Sequence, residues 1–195
     1  LPRGRAIVLI GVIRTQKNLD DIVITLAIRT PLTRARKGGF KDTDLDYMLY
    51  ELLKHVLERS KIDPALVEDI CLGNARTLAN ALSQQVLQHV LQVGDDKAAY
   101  KVRAASLAAG FPHTTAASSV DRFCSSGLKA VQDIANQISN GSIEIGLALG
   151  GESMTNTPPP PNPLSPEIMN KQEAADCTQP MIQTSENVSN DFDIS

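Results

Sequence analysis

The sequence predicts an α/β layered domain, and three observations carry that prediction. Short β-branched runs alternate with stretches of helical period from Asp21 to Leu149. The composition is that of an ordinary globular chain: 195 residues, 42 % hydrophobic and 21 % charged. After Met154 the texture changes. Pro158–Pro161, Pro163 and Pro166 make an extended stretch unsuited to helix or central strand, which marks an excursion or lid rather than core.

The same counts exclude several functions. A hydrophobic share of 42 % argues against disorder. Lys+Arg 19 against Asp+Glu 22 leaves no basic excess to neutralise phosphates, so no nucleic-acid partner is expected. Three cysteines are too few for a disulfide framework and read as thiols of a reducing compartment. The longest apolar run, Ala6–Ile13, falls far short of the ~20 residues of a spanning helix. No metal cluster, phosphate-binding glycine loop or redox-cofactor motif is visible.

Arg3 and Arg5 ahead of Ala6–Ile13 loosely resemble a signal peptide, but Arg14-Thr15-Gln16-Lys17 stands where small residues are needed for cleavage. Residues 1–20 are therefore read as an extra strand or a stray leader. The sequence opens at Leu1 rather than Met, which leaves room for a preceding segment and any address it carries.

Asp21–Ile28 reads as a buried strand, bounded by Asp20 and Pro31. Arg34, Arg36, Lys37, Gly38, Gly39 and Phe40 form a basic loop: a solvated turn, or else a segment beside an anionic ligand. Leu45–Ile62 is the clearest helix. Leu45, Met48, Leu49, Leu52, Leu53, Val56 and Leu57 make one stripe, with Thr43 or Asp44 as cap. His55 on it reads as a half-exposed structural histidine. Asp63-Pro64 restarts a short helix. Ile70–Gly73 is the next strand, with Cys71 as a small buried hydrophobe.

Val86, Leu87, Val90 and Leu91 suggest an amphipathic helix carrying His89. Lys97–Ala109 is an alanine-rich helix stopped by Gly110. Gly127–Ile138 is helical, with Leu128, Val131, Ile134, Ala135 and Ile138 on one side and Gly141 at its end. Ile143–Leu149 is a further buried strand.

Chemistry concentrates in Val120-Asp121-Arg122-Phe123-Cys124-Ser125-Ser126-Gly127. A buried strand arrives, a tight turn follows and a helix begins, so Cys124 sits at or just before a helix N-terminus. Unpaired N–H groups and the positive end of the helix dipole stabilise a thiolate there, and Arg122 adds positive potential. Small residues at 125–127 let a carbonyl approach the backbone, where the N–H of Cys124 can hold an oxyanion. That suits a nucleophile that takes an acyl group as a thioester. By spacing alone, a core cysteine that happens to precede a helix fits equally well.

Cys124-Ser125-Ser126-Gly127, then Leu128-Lys129-Ala130-Val131, then Gly146-Leu147-Ala148-Leu149-Gly150-Gly151-Glu152-Ser153-Met154, resembles the thiolases, and among them the fungal peroxisomal 3-ketoacyl-CoA thiolases. Arg29-Thr30-Pro31 with Lys37-Gly38-Gly39-Phe40-Lys41-Asp42, Ile70-Cys71-Leu72-Gly73-Asn74, and Pro180-Met181 with Thr184-Ser185-Glu186-Asn187-Val188 are similar too, so the resemblance covers residues 21–195. A ketoacyl synthase would share the type of cysteine, but Ser-Ser-Gly and Gly-Glu-Ser-Met point away from it.

The resemblance implies a layered αβαβα enzyme made of two similar halves, with this chain as the N-terminal half and the start of a loop domain. Residues 21–154 would be the core domain, with 77–94 an atypical insertion, and 155–195 the truncated beginning of the lid. It implies CoA-dependent cleavage of a 3-ketoacyl-CoA in fatty-acid β-oxidation. Cys124 would be the nucleophile and Met181 a substrate-pocket residue, with CoA as substrate, no cofactor, and a peroxisomal address that no signal in this chain carries. Phe40 and its loop would be framework. The partner would be a second copy, or a full-length subunit if the chain serves as a non-catalytic assembly module.

The family's activating His, second Cys and Asn-Glu-Ala-Phe segment have no counterpart motif here, so the chain alone is expected to be inactive. Cys177 reads as a packing or surface thiol and His113 as a turn residue. Ser195 reads as a helix cap with no helix behind it, which suggests truncation. Ile182 replaces a usual Gly. Asp121 replaces a usual Asn, and its negative charge three residues before Cys124 should disfavour the thiolate.

Overall fold

The computed structural model describes residues 6–7, 21–75, 98–155 and 165–194. The amphipathic stretch at 77–94 with His89, the prolines 158–161 and 163, most of residues 1–20, and Ser195 lie outside them. Contacts divide the chain into two compact units, residues 1–157 and 158–195.

The first unit is built on a five-stranded sheet, order β2-β1-β5-β3-β4, in which every pairing is parallel. Its strands are β1 (Ala6–Ile7), β2 (Val23–Ile24), β3 (Asp69–Gly73), β4 (Ala116–Val120) and β5 (Ile145–Gly150). The helices are α1 (Leu45–Ser60), α2 (Ala98–Ala109) and α3 (Ser126–Ser139), with a 3₁₀ turn at Pro64–Leu66.

From β3 the chain passes through α2 to β4, then doubles back through α3 to β5 on the other side of β3. Right-handed crossovers in opposite directions put their helices on opposite faces of the sheet. Alternate strand residues show the result. Ile70, Leu72, Leu147 and Leu149 point into one core with Leu49, Leu53 and Val56 of α1 and Val102 of α2. Cys71 and Ala148 point the other way, towards Ala130, Ile134 and Ile138 of α3.

α1 buries Leu45, Leu49, Leu53 and Val56, with Met48, Leu52 and Leu57 flanking them. It stops at Ser60, two residues short of the predicted end, because Lys61 turns left-handed (φ 56) and returns its N–H to the Leu57 carbonyl. The 3₁₀ turn is capped by Asp63, whose carboxylate accepts from the Ala65 N–H at 2.9 Å. Gly110 ends α2 at φ 105, a left-handed value that costs a glycine little.

Two strands differ from expectation. Asp21–Ile28 is not a buried strand: only Val23–Ile24 pairs, at the sheet's edge. Its exposure alternates, with Ile22, Ile24, Leu26 and Ile28 turned inward and Val23, Thr25 and Ala27 outward. β4 is likewise an edge strand, half-exposed rather than buried. An edge strand has one neighbour, so a β-branched run there has less to cover it.

On α3, Leu128 is 71 % exposed rather than in the predicted stripe. Ala130, Ile134 and Ile138, spaced by four, face the sheet, and Leu128 stands two residues from Ala130, about 200° round the helix. β5 also starts two residues later than predicted, at Ile145, although Ile143 is buried.

The second unit holds α4 (Pro166–Met169), α5 (Gln172–Asp176) and α6 (Met181–Phe192), none with a buried residue. Among the described residues of the chain, no helix is long and apolar enough to cross a membrane.

Candidate functional site

The C-terminal ends of β3, β4 and β5 lie side by side, since Gly73 pairs with Val120 on one side and Gly150 on the other. A ligand of a parallel sheet binds outside these ends, at the point where the connections reverse. Here that point lies between β3 and its two neighbours. Hydrogen bonds tie the strand ends together. The Asn74 N–H donates to the Val120 carbonyl at 3.1 Å, and the Gly151 N–H to the Gly73 carbonyl at 3.1 Å. The buried Asn74 side chain donates to the Gly151 carbonyl at 2.6 Å. Glu152 accepts from the Ala75 N–H at 3.1 Å.

The turn after β4 stands on this platform. The Asp121 carboxylate accepts from the Phe123 N–H at 2.8 Å, an Asx turn, and Phe123 is driven to φ 49. That is an uncommon conformation for a residue with a bulky side chain. The chain then turns back sharply. The Ser125 N–H and hydroxyl both donate to the Arg122 carbonyl. The buried Ser126 hydroxyl accepts from the Arg122 N–H at 2.8 Å and donates to the Phe123 carbonyl at 2.6 Å. Ser125 is the N-cap of α3, so Cys124 occupies the residue before it.

Cys124 is exposed at the crest of this turn. The N–H groups of Arg122, Phe123, Ser125 and Ser126 are all engaged within the turn. Among the described residues no hydrogen bond engages the N–H of Cys124, which makes it a candidate donor to a ligand oxygen. An exposed thiol beside a helix N-terminus and an available N–H can form an acyl thioester and hold the oxyanion on the way. Sequence reasoning treated Ser126 only as a small residue and missed that its hydroxyl pins the turn. Asp121 two residues before Phe123 was the visible signal of the Asx turn.

The other candidates fall elsewhere. Cys71 is buried in β3, and burial pushes its thiol above the ordinary value, as suits packing. His55 lies exposed on α1, 2.8 Å from Glu58. His113 is in the turn before β4, where its carbonyl accepts from Arg103 at 2.9 Å. A five-residue strand, roughly 17 Å long, separates that end of β4 from the end where Cys124 stands. The basic loop 34–40 is a chain of turns whose Arg36 N–H donates to the Thr155 hydroxyl at 3.0 Å. In the second unit, Cys177 is an exposed thiol that donates to the Glu173 carbonyl at 3.2 Å, and Met181 opens α6, 71 % exposed.

Asp121 can be tested directly. Asparagine keeps an acceptor for the Phe123 N–H and removes one negative charge near the sulfur. Asp121→Asn is expected to speed iodoacetamide alkylation of Cys124 at neutral pH by a few-fold. An unchanged rate, read by peptide mass spectrometry, would show that the charge does not reach the thiol.

Residues 22–195 match the family model described as thiolase, N-terminal domain. The chain is 39 % identical over 183 residues to 3-ketoacyl-CoA thiolase B, peroxisomal, of Candida tropicalis, a match covering 92 % of this chain and 41 % of that protein. It superposes on the dimeric peroxisomal thiolase of Saccharomyces cerevisiae with a TM-score of 0.70 and 40 % identity, covering 84 % of this chain and 40 % of that one. A second yeast peroxisomal 3-ketoacyl-CoA thiolase structure, five-layered αβαβα with two core domains of identical topology, matches with a TM-score of 0.51 and 39 % identity over 64 % of this chain and 32 % of that one. The chain thus spans about two-fifths of the length of the curated relatives it matches.

Proposed function

The chain belongs to the thiolase family, and from that premise we propose that Cys124 is the acyl-accepting nucleophile of a 3-ketoacyl-CoA thiolase acting in peroxisomal β-oxidation. The observation that carries this reading is the turn itself. Within a segment similar to peroxisomal thiolases, it presents an exposed thiol and an available N–H at the C-terminal edge of a parallel sheet.

The chemistry balances as follows. The Cys124 thiolate attacks the 3-keto carbon, and the electron pair of the C=O moves to oxygen, where the Cys124 N–H holds it. The oxyanion collapses, the C2–C3 bond breaks, and the acetyl-CoA fragment leaves as a carbanion that takes up a proton. The shortened acyl chain stays on sulfur until the thiolate of a second CoA displaces it. CoA is therefore a substrate.

Two steps need proton donors and acceptors that the described residues do not place at Cys124. His55 is on α1 and His113 at the far end of β4. Loss of general acid–base help costs ~10²–10⁴-fold. Residues 1–195 alone are thus proposed to acylate slowly without turning over. In the complete arrangement, 21–154 would be a core domain, 155–195 would begin a loop domain in which Met181 lines the acyl pocket, and the assembly would be a dimer like the yeast relative. The alternative, a non-catalytic module on a full-length subunit, draws no separate support from the comparisons.

Incubation with isotopically labelled acetoacetyl-CoA and peptide mapping tests the reading. Label is expected on Cys124 at no more than one per chain. Label on Cys177 alone, or none at all, would overturn the nucleophile assignment, and multiple turnovers would overturn the claim that this chain lacks its proton donors.

A further inference from the structure

We infer that Gly73, at the end of β3, is a positioning residue for Cys124: the missing side chain at 73 sets where the reactive turn sits over the sheet. The inference rests on the nucleophile assignment above.

The geometry is a direct contact between backbones. A Cβ added at Gly73 would lie 2.2 Å from the Ser126 carbonyl oxygen, 2.3 Å from its carbon and 2.5 Å from the Gly127 nitrogen. All three atoms belong to the first turn of α3, and Ser126 is two residues from the nucleophile. No flexible side chain can move aside there. Restoring ordinary contact requires the first turn of α3 to move by about 1 Å relative to β3.

Two neighbouring glycines behave differently. A Cβ at Gly150 would stand 3.5 Å from the Gly127 Cα, and one at Gly127 3.8 Å from the Gly150 Cα, both ordinary contacts. Three glycines thus gather under the turn, but only Gly73 is forbidden a side chain by backbone atoms.

Rigidity makes a shift at Gly73 reach Cys124. Gly73 is held on both sides by its pairings with Val120 and Gly150. Its carbonyl accepts from the Gly151 N–H, and the next residue, Asn74, is bonded to Val120 and Gly151. The strand end cannot yield easily. The turn is in turn fastened to α3 through the Ser126 hydroxyl bonds to Arg122 and Phe123. Displacing Ser126 therefore carries Phe123 and Cys124 with it. A reacting group misplaced by ~1 Å can lose 10²-fold in rate.

The test compares two reactions of one sulfur in the full chain. Acylation by acetoacetyl-CoA needs the thiol and the Cys124 N–H disposed about one carbonyl. Alkylation by iodoacetamide displaces iodide and develops no oxyanion. Gly73→Ala is expected to slow acylation of Cys124 by roughly 10- to 100-fold. Alkylation of Cys124 should change no more than about threefold, Cys177 should react as in the parent, and buried Cys71 should stay protected. Gly150→Ala should acylate within about threefold of the parent.

Equal acylation in Gly73→Ala and the parent would overturn the inference. So would acylation and alkylation falling together, or Cys71 becoming reactive, because Gly73 would then serve folding rather than placement. A parent chain that never acylates at Cys124 would instead remove the nucleophile assignment, a distinguishable failure.

Discussion

Replacing Cys124 with serine is expected to bring acyl labelling of the chain to background while leaving its fold intact. The sulfur is exposed and lies outside both cores, so the substitution removes chemistry and almost no packing. Surface changes of this kind shift stability by about 0.5 kcal/mol or less. A serine hydroxyl is a far weaker nucleophile without an adjacent base, and the described histidines stand elsewhere, on α1 and before β4. The missing base alone forgoes roughly 10²–10⁴-fold for a hydroxyl nucleophile. The measurement is acyl incorporation from labelled acetoacetyl-CoA, with urea unfolding of the same sample as the stability check. Exposed Cys177 provides the control: it remains in Cys124→Ser, so persistent labelling would locate the reactive sulfur there.

The second large effect is on stability. Ile134 is fully buried at the centre of α3, in a cluster with Cys71, Ala130, Ile138 and Ile143. It lies against Gly146 so closely that a Cβ at 146 would fall 2.8 Å from its Cγ2. Ile134→Ala removes three carbons from this contact, and the glycine opposite has no side chain with which to fill the gap. Such deletions cost about 2–5 kcal/mol, a large part of the ~5–15 kcal/mol that holds a domain folded. The urea midpoint should fall accordingly. Cys71 lies under the same helix, so its alkylation should accelerate in step. A midpoint like the parent's with Cys71 still protected would show that α3 is held mainly by its edges.

Most of the elements were legible because their periods are strong. Leu45 to Val56 repeats at helical spacing, and Ile70–Gly73 is short, apolar and bounded by polar residues. The errors share one cause. Asp21–Ile28 and the strand before Cys124 were read as buried because their residues are apolar or small, yet both run along the sheet's edges. Strand order is set by long-range pairing, on which local composition is silent. Leu128 was assigned inward for a related reason. It shares a flank with Val131 and Ala135, but the sheet sees Ala130, Ile134 and Ile138, because Gly146 on β5 leaves room for the Ile134 side chain on that face.

The candidate site divided in the same way. That Cys124 comes directly before a helix could be read from strand, Ser-Ser-Gly and apolar period in order. That Ser126 pins the turn, that Phe123 is forced left-handed, and that a glycine from β3 lies beneath the helix could not. Those facts involve atoms up to 54 residues apart in the chain, brought together by parallel pairing.

The amino-acid order by itself determined the α/β class, the buried stripe of α1, the thiolase kinship and which sulfur is the candidate nucleophile, because periodicity and short motifs are local properties. Only the tertiary structure decided which strands are edges, which face of α3 is core, and what holds Cys124 at the C-terminal rim of the sheet. Pairing and packing between distant segments settle those matters, through backbone contacts too close to admit one added methyl group.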